Sequence, residues 1–221
     1  MMINMNFTKT LSRHIGLVVL ILLFTPAVVF SQLFEGTITF ANSYKSKSPQ
    51  LKDEQLNSMM GTTQEYYIKG GNYKSVFNGS FVKMQLYRAA ENKSYALTAK
   101  SDSLYWDDYS KNKDIATKFE IRKNTATIMG LICDEITIYT AGSKATYYYN
   151  KKYGVNSELL ARHQYGNWYY LLSKTKAIPL KVVYEIDQFI FTSTAIKITP
   201  MKLNDNEFII PDQNKVTPAK W

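Results

Sequence analysis

The stretch FEGTITFANSY (residues 34–44) alternates cleanly, with Phe34, Gly36, Ile38 and Phe40 on one face and Glu35, Thr37 and Thr39 on the other. A period of two, carried by β-branched and aromatic residues, marks a half-buried β-strand. The same pattern recurs along the chain in TTQEYYIKG, NYKSVFN, SFVKMQLYRA, KSYALTAK, SLYWDDYS, TKFEIRK, TATIMG, CDEITIYT, KATYYYNK and PLKVVYEID. Turn signals separate these runs, among them Gly70-Gly71, Asn78-Gly79 and Gly142. Asn-Gly between two β-rich runs is a strong hairpin signal. FIFTSTAIKIT and EFIIP, near the end, also read as strands, because branched and aromatic side chains fit a pleated surface.

Two segments read as helices. LKDEQLNSMM (residues 51–60) sets Leu51, Gln55, Leu56 and Met59 near one stripe, with Gly61 as its stop. A second helix is expected from an N-cap at Ser157 through ELLARHQY to Gly166, with Leu159, Leu160 and His163 on its apolar side. There is no internal repeat and no linker long enough to divide the chain. The pattern as a whole predicts a mainly β antiparallel protein with a few short helices.

Residues 1–31 read as a secretory signal. Lys9 and Arg13 form a basic start, IGLVVLILLF (residues 15–24) an apolar core, and Pro26 breaks the helix before Val29 and Ser31. Cleavage is expected between Ser31 and Gln32. The apolar run falls short of the roughly 20 residues a membrane span needs, so no span is expected after cleavage. No cysteine follows the run to carry a lipid, so the expected product is an exported protein of the periplasm or cell surface, not a lipoprotein.

Removing 31 of 221 residues leaves 190, one domain over residues 32–221 with room for a core. Losing Lys9 and Arg13 takes the formal charge from +9 to +7. Such an excess favours anionic neighbours, which outside the cytoplasm are lipid headgroups and acidic glycans. The segment KATYYYNKKYG (residues 144–154) interleaves aromatics and lysines as single-stranded nucleic-acid binders do. Export argues against that partner, and no nucleic acid is expected. Strands need aromatics in any case, and Tyr147 and Tyr149 share a face opposite Tyr148.

Catalytic signals are sparse. The mature chain holds one histidine, His163, and one cysteine, Cys133, which excludes an intramolecular disulfide. Motifs for zinc proteases, serine hydrolases and phosphate-binding loops are absent, and no Cys/His cluster has metal spacing. No cofactor, metal or catalytic residue is expected. A Cys133–His163 pair stays open at this level, since such partners meet only in the fold. Burial in MGLICDEITI makes an inert thiol the commoner outcome. DSLYWDDY (residues 102–109) could stack on a sugar and offer two carboxylates. Adjacent strand residues point to opposite faces, however, so Asp107 and Asp108 read better as a strand running into an acidic turn. Asp102-Ser103-Leu104 matches a short bacterial O-glycosylation pattern, and the sequons at Asn78 and Asn92 matter only in a eukaryotic secretory route.

Four segments in this order carry a resemblance to a known family. They are FEGTITF after the signal, IMGLICDEITIY with its Gly130–Cys133 step, AIPLKVVYE, and NEFIIPD near the end. The chain resembles bacterial envelope proteins of unknown function related to the LolA/LolB-like lipoprotein-carrier fold, near the GLPGLI-type proteins. The family often has Gly-Tyr-x-Cys-Lys-x-Tyr at the central motif, from which Leu131 and residues 134–136 depart. The resemblance implies a strongly curved antiparallel sheet, an open half-barrel, with short helices on its concave side. In the carriers the concavity holds acyl chains.

The leading expectation is therefore a non-enzymatic module that binds a lipid or other amphiphile in a concave groove. An envelope assembly protein with a self-filled core and an envelope protein partner comes next, and a glycan-acting hydrolase last. Expected groove residues are Met59, Met60, Leu159 and Leu160 from the helices, pointing inward beside Tyr147, Tyr149 and Trp168. Lys151 and Lys152 would meet an anionic headgroup at the rim.

Overall fold

The structure, a computed structural model, describes residues 33–210 and 215–219. The expected signal segment and its cleavage site lie outside the described residues. Among the described residues twelve strands form one open sheet in the order β12-β6-β5-β4-β3-β2-β1-β11-β10-β9-β8-β7. They are β1 (Gly36–Ser46), β2 (Thr63–Lys69), β3 (Asn72–Phe77), β4 (Val82–Arg88), β5 (Lys93–Thr98), β6 (Leu104–Asp108), β7 (Lys118–Ile128), β8 (Leu131–Tyr139), β9 (Lys144–Gly154), β10 (Ala177–Glu185), β11 (Phe189–Pro200) and β12 (Val216–Pro218). All neighbours pair antiparallel except β12, which lies parallel to β6.

Chain connectivity dictates strong curvature. Strands β6 and β7 sit ten positions apart in the sheet, about 48 Å if the sheet were flat at ~4.8 Å per strand. The ten links from Asp108 to Lys118 reach at most about 36 Å fully extended. The sheet must therefore bend its two margins toward each other, and the loop between β6 and β7 crosses the open side.

Sequence and structure agree where glycine or alternation fixes the backbone. In β1, Gly36, Ile38, Phe40, Asn42 and Tyr44 are all buried on one face. Gly70 takes φ +58° in the two-residue turn joining β2 and β3, where Lys69 pairs with Asn72. Asn78-Gly79 does connect β3 and β4, but through a four-residue loop and for a different reason. The first helix, α1 (Asp53–Met60), ends at Gly61 and rests its last turn on that loop. Ser80 N donates to Ser58 O and Phe81 N to Met59 O, both at 2.9 Å. A Cβ on Gly79 would stand 2.5 Å from Met59 O. Backbone meets backbone there, and only glycine leaves room.

Three expectations need correction. The second helix is not over 157–165: Ser157–Leu160 is a single 3-10 turn capped by Asn156, and the helix, α2, is Trp168–Thr175. Left-handed residues at Gly166 (φ +61°) and Asn167 (φ +58°) break the chain between them. Trp168, Leu171, Leu172 and Thr175 follow the i, i+3, i+4, i+7 spacing, and the last three are buried. EFIIP is not a strand: Asp205–Phe208 is a 3-10 turn capped by Asn204. It buries Phe208 against the outer face of β4–β6, with Leu86, Tyr95, Leu104 and Leu203. TKFEIRK and TATIMG are one strand, β7, irregular around Asn124 (φ +54°).

The main core gathers Ile38, Phe40, Tyr66, Ile68, Tyr73 and Tyr87 with Leu160 and Leu172. Much of the tyrosine content goes into a row of packed rings. Centroid distances are 5.6 Å for Tyr66–Tyr73, 5.0 Å for Tyr73–Tyr87, 5.8 Å for Tyr87–Tyr109 and 4.5 Å for Tyr109–Tyr165. No helix among the described residues is long and apolar enough to cross a membrane.

Candidate functional site

The loop across the open side is pinned at two points. Asn167 Oδ1 accepts from Asn112 Nδ2 at 2.8 Å and from Ala116 N at 3.0 Å, and its Nδ2 donates to Asp114 O at 2.8 Å. Asparagine suits this position because it tolerates the left-handed backbone and still presents a donor and an acceptor. The Asp114 carboxylate reaches the β8–β9 turn, accepting from Thr140 Oγ1 at 2.6 Å and Ser143 Oγ at 2.7 Å. Burial alone would raise the Asp114 carboxyl, but these bonds and the Gly142 N–H outweigh it and hold it below its usual range.

Beneath the loop lies a cleft of about 800 Å³, within the size range of small-molecule sites. Asp107 and Asp108 of β6 and Pro218 and Ala219 bound one side, and Ile138, Ala145, Tyr147 and Tyr184 of β8–β10 the other. Tyr165, Gly166 and Asn167 lie between, and Lys111 and Lys113 of the loop complete it. The walls are thus flat and aromatic, with carboxylates, amides and ammonium groups at the edges. Burial raises the Tyr147 phenol, with Tyr184 adding to the shift; Tyr165 is raised by burial and further by Asp107 and Tyr184. Both stay protonated hydroxyls. Asp108 is held low chiefly by the Ser110 backbone N–H.

A smaller pocket of about 130 Å³ lies behind Tyr147, which lines both spaces. Phe40, Tyr66, Trp168, Ile178, Val182 and Phe191 are among its walls.

The structure sorts the expected residues. Tyr147 lines both spaces and Trp168 the smaller pocket. Tyr149 is buried with Ile136, Ile138 and Leu171 and lines neither. Leu160 is a core residue. Met59 and Leu159 do not point inward: they are 43% and 49% exposed, because α1 buries only Leu56 and the turn at 157–160 buries Ser157 and Leu160. Met60 is half-buried and lines neither space. Lys151 and Lys152 are exposed about 13 and 17 Å along β9 from Tyr147 at ~3.3 Å per residue, and neither lines the cleft. Its lysines are Lys111 and Lys113, and the sequence signal for them was their place in YSKNKD, directly after the acidic turn.

Cys133 and His163 do not face the cleft. Cys133 is fully buried, its Sγ donates to Leu131 O at 3.4 Å, and burial raises its thiol. His163 is buried among Tyr73, Tyr87, Tyr109 and Trp168, with Nε2 2.8 Å from Tyr73 Oη. Burial pushes its imidazole down to about 3, so it is a neutral packing residue. Among the described residues no group of three or more His, Cys, Asp or Glu side chains is placed to hold a metal ion.

No family model matches the chain, and no curated protein matches it. Among solved structures it is similar to PNGF-II in a P21 crystal form, with a TM-score of 0.48, 12% identity and 84% of this chain covered. A C2 form of PNGF-II matches with a TM-score of 0.40, 12% identity and 82% of this chain covered. The chain spans 32% and 31% of the length of those two chains.

Proposed function

We propose that the chain is a non-enzymatic, exported binding module of the carrier-like envelope kind, which takes an amphipathic ligand into the cleft on the concave side of its sheet. The observation that carries this reading is the cleft itself: about 800 Å³, walled by Tyr147, Tyr165 and Tyr184 and edged by Lys111 and Lys113. Flat aromatic walls bind apolar faces, and the phenol hydroxyls, amides and ammonium groups suit polar edges on the same ligand. The hydrolase reading finds less support. Asp107 and Asp108 are neighbours on β6 and so point to opposite faces of the strand, which does not set two carboxylates about one bond.

The test is native mass spectrometry of the exported protein beside a Tyr184→Ala variant, each offered octyl glucoside and octanoate. The reading expects a stoichiometric adduct with at least one of them, weakened about three- to tenfold in the variant, the size of one lost contact of about 1 kcal/mol. Absence of any adduct, or equal adducts in both proteins, would defeat it.

A further inference from the structure

We propose that one end of the sheet is a docking surface for a bilayer rich in anionic phospholipid, with the turn between β7 and β8 as its inserting tip. The inference goes beyond the cleft and does not depend on it. Met129 and Gly130 form the two-residue turn between Ile128 and Leu131, and Met129 and Ile132 are 47% and 61% exposed. The end of β9 lies against them. Asn150 Nδ2 donates to Ile132 O at 2.6 Å, and the β8–β9 register, continued from Asp134 opposite Tyr149, sets Lys151 across from Ile132. Phe34 N donates to Gly154 O at 2.8 Å and Met201 N to Glu35 O at 3.0 Å. Leu33 and Met201, also exposed, therefore stand at the same end.

Two features select the partner. The first is the backbone of the turn. Met129 has φ +50° and Gly130 φ +76°, both left-handed as a tight hairpin requires, and the first of these positions favours Asn, Asp or Gly. A methionine there is strained, and it places an apolar side chain at an exposed tip. It serves neither the turn nor water, whereas its adaptable thioether suits burial in a soft apolar medium. The second feature is charge. Asp134 is held by Lys123 at 2.7 Å and Glu35 by Lys202 at 3.1 Å. Lys151 and Lys152 have no ion pair among the described residues, and the Lys152 ammonium lies 5.7 Å from the centroid of the Tyr153 ring.

Free ammonium groups set between exposed aliphatic side chains fit a bilayer better than a protein. The centre of a protein interface is dry and depleted in lysine. At a bilayer the aliphatic tips enter the boundary of the acyl region, while lysine stems run along them and carry their charges to the phosphates. An anionic leaflet adds an attraction that fades within a Debye length, so salt weakens it. A neutral leaflet offers only the apolar contribution, which a few half-exposed side chains keep small.

The test is flotation of the exported protein with phosphatidylglycerol vesicles and with phosphatidylcholine vesicles, at low and high salt. Phosphatidylglycerol vesicles should carry the protein at low salt and release most of it at about 0.5 M salt; phosphatidylcholine vesicles should carry little. Lys151→Gln combined with Lys152→Gln should lower the partition coefficient about 30-fold, roughly fivefold per lysine. Met129→Asn gives the turn a residue favoured at its left-handed position, so the variant should melt no lower than wild type, yet partition about three- to tenfold less. Absence of flotation at low salt, equal binding to both lipids, or unaltered binding of the Met129→Asn protein would overturn the proposal. So would a wild-type dimer in light scattering that Met129→Asn turns into a monomer, because this end would then join two copies of the chain. If Tyr184→Ala weakens flotation and the turn and lysine variants do not, lipid is entering the cleft, and the docking surface is wrong while the cleft stands.

Discussion

Replacing Asp114 by alanine tests whether the crossing loop is held shut by its carboxylate. The substitution removes the acceptor of the Thr140 and Ser143 hydroxyls, at 2.6 and 2.7 Å, and leaves the main-chain bond from Asn167 to Asp114 O in place. Hydrogen bonds to a charged group contribute about 1.5–3 kcal/mol each when well shielded. Asp114 is only half-buried, so solvent screening reduces the pair to about 2 kcal/mol in total. For a domain of this size 1 kcal/mol moves Tm by about 2–4 °C, so the variant should melt about 4–8 °C lower at pH 7. The sign of the pH dependence follows from the lowered folded-state carboxyl. Its contribution is complete above the unfolded carboxylate value and is lost as pH falls through the lower folded value. The gap between wild type and variant should therefore be widest at neutral pH and close in strong acid. Paired thermal melts of the two proteins from pH 7 down to pH 3 provide the measurement. A gap that stays constant across that range, or one below about 0.5 kcal/mol at pH 7, would refute the clamp.

Gly79→Ala should destabilise the protein by about 2–4 kcal/mol, since its Cβ would press on the α1 backbone at 2.5 Å and loosen two hydrogen bonds and the burial of Leu56. Gly142→Ala, whose Cβ meets only Asp114 Oδ1 at 3.9 Å, is the control and should unfold within about 0.5 kcal/mol of wild type in urea. Cys133, fully buried and with its thiol raised, should resist a bulky maleimide in the native protein and react only on unfolding; labelling within seconds under native conditions would contradict its burial.

How far the sequence could be read depended on whether the deciding interaction was local. The alternation in β1, the Gly70-Gly71 turn and the Gly61 stop of α1 act over a few residues, and the structure contains all three. Helix α2 was harder because its tyrosines favour strands, while its burial comes from Leu171 and Leu172 packing against different clusters. EFIIP has strand composition, yet its place is set by a hydrophobic hollow on β4–β6 that Phe208 fills. Asn78-Gly79 carried a correct hairpin signal and concealed its main constraint, the approach of α1. The cleft was least legible. Asp107 on β6 and Tyr184 on β10 meet around Tyr165 only because the sheet bends.

That bend and the cleft have one origin. The chain passes directly from near one margin of the sheet to the other between Asp108 and Lys118, so the connection has to lie across the concavity. Lys111 and Lys113 reach the cleft from a segment anchored through Asn112, Asp114 and Asn167, which line the same cleft but leave the two lysines out of the anchoring bonds. Side chains on the loop can consequently change the charge at the cleft while the strands and their register stay as they are. The tyrosine walls do not have that freedom. Tyr147 packs against the cluster containing Ile136 and Leu171, and Tyr165 stacks on Tyr109 within the row that runs into the core. The flat apolar walls of the cleft are thus part of the packed fold, and its two lysines belong to the crossing loop.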